Sequence, residues 1–147
     1  MSVLFFSGET KGPSEHIQRI IEAQVPGDEI EIHRNIKSLT SRLRGPRCNL
    51  TIIVLLAVSC KDLQGLLLIR DLFDDIPIIL ILPDRERDTI TAGHKLYPRF
   101  LSYMDSDFSD VALVLTKMLE RAERTSASFW ARAANRASDG MESLEEV

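Results

Sequence analysis

The chain has 147 residues, 44% hydrophobic and 27% charged, the composition of a globular domain with one core and not of a disordered or fibrous chain. Its formal net charge of -4 gives no global basic field, which argues against nucleic acid as a partner. No apolar run approaches the roughly 18 residues of a membrane span, and the apolar start Val3-Leu4-Phe5-Phe6 lacks a basic flank and breaks at Ser7-Gly8, so a cytoplasmic protein with no membrane association is expected.

Val3 to Phe6 reads as a short strand followed by a polar loop to Pro13. Ser14 is the expected N-cap of a helix, because Ile17, Ile20, Ile21 and Val25 follow at helical spacing before Pro26-Gly27. Glu29-Ile30-Glu31-Ile32-His33 alternates polar and apolar residues, which predicts an edge strand solvated on one face. Ile36, Leu39 and Leu43 mark a second helix that Gly45-Pro46 ends.

The run from Leu50 to Val58 is apolar on both faces and rich in β-branched residues, so it belongs at the centre of a parallel sheet covered by helices above and below. Its two flanking cysteines, Cys48 and Cys60, lie at opposite ends of a strand rising about 3.3 Å per residue, too far apart to form a disulfide. Asp62 is the expected cap of a Leu-rich helix carrying Leu63, Leu66, Leu67, Ile69, Leu72, Phe73 and Ile76. Ile78 to Leu82 reads as a second interior strand, and the charged loop from Asp84 to Asp88 leads into a weak helix from Thr89 to Lys95 that contains Gly93. Arg99 to Met104 is the last strand. Ser106 to Ser109 supply caps for a final helix with Val111, Val114, Leu115, Met118 and Ala122 on one stripe.

The order is β-α five times over, which predicts an α/β fold: a three-layer sandwich with a five-stranded parallel sheet and helices on both faces. Residues 125–147 read as a helical extension decaying into an acidic tail. Ligands in such sheets gather beyond the carboxyl ends of the strands, and Ala57, Val58, Ser59 and Cys60 stand there without a carboxylate.

The segment Asp62-Leu63-Gln64-Gly65-Leu66-Leu67-Leu68-Ile69-Arg70 resembles the "Met-Asp-Gly-Leu-Glu-Leu-Leu" segment of bacterial response-regulator receiver domains, and Ile76 to Leu82 resembles that family's fourth strand. The resemblance covers residues 1–124 by element order and implies a receiver (flavodoxin-like) fold, with residues 125–147 a linker toward an output module. The family binds Mg²⁺ through an acid pair after its first strand, phosphorylates an Asp ending the third, and ends the fourth and fifth with a hydroxyl residue and a Lys. Those positions fall here on Ser7 and Gly8, on Ala57, on Leu82 and on Tyr103. None carries the family's group, and phosphoryl transfer to the protein needs a nucleophilic oxygen and a metal site of hard oxygen ligands.

The expectation is therefore a pseudo-receiver in two-component signalling: not an enzyme, without cofactor or metal, acting through a protein partner or a homodimer. The resemblance implies an interaction face around Phe100, Tyr103 and Val114; simple sheet packing is the competing account of both aromatics. Phe129 and Trp130, past the end of the domain, add a candidate contact.

An alternative is a flavodoxin-like anion binder using the loop Ser7-Gly8-Glu9-Thr10-Lys11-Gly12-Pro13-Ser14, against which Pro13 removes a donor and Glu9 adds negative charge. The basic set Arg34, Lys37, Arg42, Arg44 and Arg47 lacks interleaved aromatics and reads as a solvated helix face. Cys60 beside Lys61 reads as a structural cysteine, and His16, His33 and His94 show no metal-ligand spacing.

Overall fold

The computed structural model describes residues 2–9, 11–45, 50–73 and 76–122. The chain divides into two compact units, Met1–Thr116 and Lys117–Val147. In the first, strands β1 (Ser2–Ser7), β2 (Ile30–His33), β3 (Leu50–Leu56), β4 (Ile78–Leu82) and β5 (Phe100–Tyr103) alternate with helices α1 (Pro13–Glu22), α2 (Ile36–Arg44), α3 (Cys60–Leu68) and α4 (Arg87–His94). A further helix opens at residue 109 and closes this unit; in the second unit residues 117–122 are helical. Among the described residues no helix is long and apolar enough to cross a membrane.

The five strands form one parallel sheet in the order β2-β1-β3-β4-β5, the flavodoxin-like topology. β2 is an edge, as its alternation requires, and β3 and β4 are interior, as their unbroken apolar runs require. Because side chains alternate across a strand, β1 sends Leu4 and Phe6 to one face and Val3 and Phe5 to the other, all at most 1% exposed. The first face packs Leu4, Phe6, Ile53, Leu55, Leu80 and Leu82 with Leu39 and Leu43 of α2 and Leu63 and Leu66 of α3. On the opposite side Ile17 and Ile21 of α1, and Val111 and Leu115 of the helix opening at residue 109, are fully buried. The two helices on that side are joined just past the end of α1, where Thr116 Oγ1 donates to Gln24 Oε1 at 2.7 Å.

Three boundaries differ from the sequence reading. Helix α1 opens at Pro13, with Gly12 at φ 68 in place of a capping side chain. Proline suits the first helical position, since its missing N–H is one the helix leaves unpaired anyway; Ser14, expected as the cap, is instead 1% exposed inside the first turn. Helix α3 opens at Cys60 because Ser59, not Asp62, is the N-cap, its hydroxyl accepting from the Asp62 N–H at 3.3 Å. The Leu-rich helix stops at Leu68 and continues as a 3-10 turn over Arg70–Phe73, whose tighter winding brings Phe73 to 4% exposure.

Gly93, which makes α4 look weak in the sequence, allows α4 to lie on β4. A Cβ there would stand 3.1 Å from Leu82 Cδ2 and 3.3 Å from Leu80 Cδ2.

Candidate functional site

The carboxyl ends of the strands lie close to level, with Ser7 in register with Leu56, Leu56 with Ile81, and Leu82 with Tyr103. After β1, the buried Ser7 hydroxyl accepts from the Glu9 N–H at 3.2 Å and donates to the Glu9 carbonyl at 3.0 Å, folding the loop back on itself. Arg34, just past β2, donates from Nη1 to the Glu9 carbonyl at 2.6 Å and to Ser14 Oγ at 3.2 Å. Ser7 and Ser14 are thus engaged by the protein itself.

Ala57 follows β3 directly. It is fully buried, and its N–H donates to the Ile81 carbonyl at 3.0 Å, extending the β3–β4 ladder by one residue. Leu82, ending β4, is also fully buried. The Asp62 carboxylate approaches the loop after β1, its Oδ2 3.6 Å from where a Cβ on Gly8 would stand. Among the described residues, no three His, Cys, Asp or Glu side chains are grouped so as to hold a metal ion.

The end of β5 is occupied. The Arg85 guanidinium carbon stands 4.1 Å from the centroid of the Tyr103 ring, a cation–π stack, and Arg85 pairs through Nη2 and Nε with both carboxylate oxygens of Asp105 at 2.9 and 3.0 Å. The hydrogen bond from Arg85 holds the Asp105 carboxyl below its ordinary value, and the same bond raises the guanidinium. Next to it Asp107 is lowered by the backbone N–H and then the hydroxyl of Ser109, which it accepts at 3.0 and 2.8 Å. Asp107 thus satisfies the N–H of the first residue of the helix that opens at residue 109, whose N-cap position is Phe108, its carbonyl accepting from the Ala112 N–H at 3.0 Å.

At the residues singled out from the sequence, Phe100, Tyr103 and Val114 are half-buried, and Tyr103 packs against the core as well as under Arg85. Phe129, Trp130, Arg47 and Cys48 lie outside the described residues. Within the basic set, Arg42 makes a two-pronged pair with Glu31 at 2.6 and 2.9 Å, and Arg34 is tied into the β1 loop. Cys60 is corrected from structural to exposed: it is a free thiol in the first turn of α3, its Sγ 3.8 Å from Thr89 Oγ1. His16 stacks edge-on against Phe108 at 5.1 Å, and His33 shares a hydrogen bond of 2.6 Å with Ser38.

No protein-family model and no curated protein matches the chain. Among solved structures it is similar to a protein of Burkholderia pseudomallei described as pilus assembly-related, with a TM-score of 0.57 and 13% identity over 80% of this chain and 88% of that one. At that identity the likeness shows a shared fold.

Proposed function

We propose that this chain is a receiver-like signalling module that acts by binding a protein partner or a second copy of itself, and that it takes no aspartyl phosphate. The observation that carries the reading is Ala57: the residue ending the central strand is a fully buried methyl group, where a receiver needs a nucleophilic carboxylate. Asp62 approaches Gly8, but among the described residues no three His, Cys, Asp or Glu side chains are grouped to hold a metal ion, and a lone carboxylate is a poor Mg²⁺ site. The Arg85–Asp105 pair over Tyr103 supports it further, since it fills the end of β5 where the family carries its lysine. The chain is then no enzyme and needs no cofactor. Association would use the β5 side of the domain, around Phe100 and Tyr103, with Phe129 and Trp130 as further contacts. The Burkholderia pseudomallei neighbour's description as pilus assembly-related suggests the control of pilus assembly in a bacterial cytoplasm as the setting.

The test is incubation with acetyl phosphate and Mg²⁺, and separately with beryllofluoride, read by intact mass and by amide NMR shifts. The expected result is an unchanged mass and no shifts at residues 56–62. A trapped adduct on any residue at the strand ends overturns the reading. Partner contact is tested by sedimentation of the full chain and of a Phe129→Ala, Trp130→Ala double variant, in which association should weaken.

A further inference from the structure

Where β2 gives way to α2, a hydroxyl, an imidazole and a carboxylate stand in line. Ser38 Oγ lies 2.6 Å from His33 Nδ1, and across the same ring Nε2 lies 3.6 Å from Glu31 Oε1. Glu31 is held in turn by Arg42, which donates from Nε and Nη2 to its two oxygens at 2.6 and 2.9 Å. The strand period brings this about: Glu31 and His33, in register with Leu4 and Phe6, fall on the face of the sheet that α2 covers. The His33 and Glu31 side chains are 14% and 31% exposed, while Ser38 is open to solvent.

A neutral imidazole carries one ring proton, and what each nitrogen faces decides which one holds it. The carboxylate beside Nε2 draws the proton there and leaves Nδ1 to accept from the Ser38 hydroxyl. Glu31 is ionised for that task, because the hydrogen bond from Arg42 holds its carboxyl below the ordinary value. A hydroxyl within hydrogen-bond reach of a base that a third group orients is the arrangement that turns serine into a nucleophile. The backbone adds to it. Ser38 donates its N–H to Asn35 Oδ1 at 2.7 Å, which fixes the first turn of α2. In the same turn the N–H groups of Ile36 and Lys37 have no acceptor among the described residues, and such donors stabilise the oxyanion that forms when a carbonyl carbon is attacked.

We infer that Ser38 is a nucleophile that takes an acyl group from a neutral activated ester, with His33 as its base and Glu31 as the residue that positions the base. Ser38 Oγ bonds to the carbonyl carbon while its proton passes to His33 Nδ1. The bond from that carbon to the leaving oxygen then breaks, and the leaving group departs with the proton. A neutral donor is required, because the developing alkoxide is repelled by a doubly charged one such as acetyl phosphate. Serine is a poorer leaving group than a phenol, so the acyl group stays, and the event is a modification of the chain and not turnover. The site owes nothing to Ala57 or to the β5 side of the domain and stands whichever way those are read.

The experiment is incubation of the full chain with p-nitrophenyl acetate, read by phenolate release, intact mass and peptide mapping. The expected result is a burst of one phenolate per chain, a mass gain of one acetyl group, and that group on Ser38. Ser38→Ala, a change at an exposed position, should remove the burst and leave the melting temperature unchanged. His33→Gln should slow the burst about a hundredfold. Glu31→Gln should slow it about tenfold and, in ring-nitrogen NMR, let the His33 proton spread from Nε2 to both nitrogens, which a merely structural role for Glu31 would not do. No acetyl group on Ser38 overturns the inference. So does a burst unmoved by Ser38→Ala or by His33→Gln.

Discussion

Arg85 lies across the face of Tyr103, its guanidinium carbon 4.1 Å from the ring centroid, while the same guanidinium grips both oxygens of Asp105. The loops after β4 and β5 are thereby tied together over the last residue of β5. Both charged groups are solvent-exposed, so the pair orients the loops and adds little to stability. Its signature is a titration: the Asp105 carboxyl should titrate below the ordinary aspartate range and return toward it in Arg85→Ala, as read by carboxyl carbon NMR. The folded value is depressed, so whatever the pair contributes is present above the ordinary carboxyl value and is lost as pH falls through the folded one. An Asp105 titration unmoved by Arg85→Ala would refute the arrangement.

The Arg42–Glu31 pair joins α2 to the edge strand β2 and is better shielded, with side chains 22% and 31% exposed. Glu31 is lowered first by its hydrogen bond from Arg42. Glu31→Gln should cost about 1 kcal/mol or less at neutral pH. The deficit should shrink as pH falls through the folded pKa of Glu31, because the wild-type carboxylate is then protonated too. Urea unfolding at neutral and acidic pH measures it.

Two glycines in helices should respond oppositely to alanine. At Gly93 the new Cβ would press on Leu82 and Leu80, both fully buried and unable to move aside, so Gly93→Ala should destabilise by about 1–2 kcal/mol. At Gly65 the nearest atoms are Cγ1 and Cδ1 of Ile36 at 3.1 and 3.3 Å, and Ile36 is half-buried and free to shift. Gly65→Ala should therefore be neutral or stabilising by up to about 1 kcal/mol, since alanine loses less backbone entropy. Paired denaturation curves decide both.

Placing an acid at the end of the central strand should not create a switch. Ala57→Asp puts a carboxylate at a fully buried position with no cation described beside it, which should destabilise by about 3 kcal/mol or more at neutral pH. Burial raises the folded pKa of the new carboxyl. The loss should therefore ease as pH drops below that value and be least under mildly acidic conditions. Acetyl phosphate should still leave the mass unchanged. A stable, phosphorylated variant would count against the account of this pocket.

The interior strands were legible because their environment is written in their composition: β3 and β4 are apolar on both faces, whereas in the edge strand β2 the exposed residue is the apolar Ile32 and Glu31 is half-buried against Arg42. Helix starts were less so. Ser14 and Asp62 are good capping residues by type, yet Pro13 and Ser59 stand one and three positions earlier and take the first turn. The Leu-rich run hid its own break, since a 3-10 turn and an α-helix share the apolar spacing that carries Phe73 inward. Contacts between loops were not legible at all. Nothing local in Arg85 announces Tyr103, and nothing in Asp62 announces Gly8.

The buried methyl of Ala57 has a consequence for how information passes through such a domain. A phosphorylated receiver that gains and loses a charged group reports on its history, and its output decays with the lifetime of an acyl phosphate. Under the proposed reading, this one reports only on abundance: its signal rises with the number of copies made and the number of docking places filled, and it is erased by dilution or proteolysis.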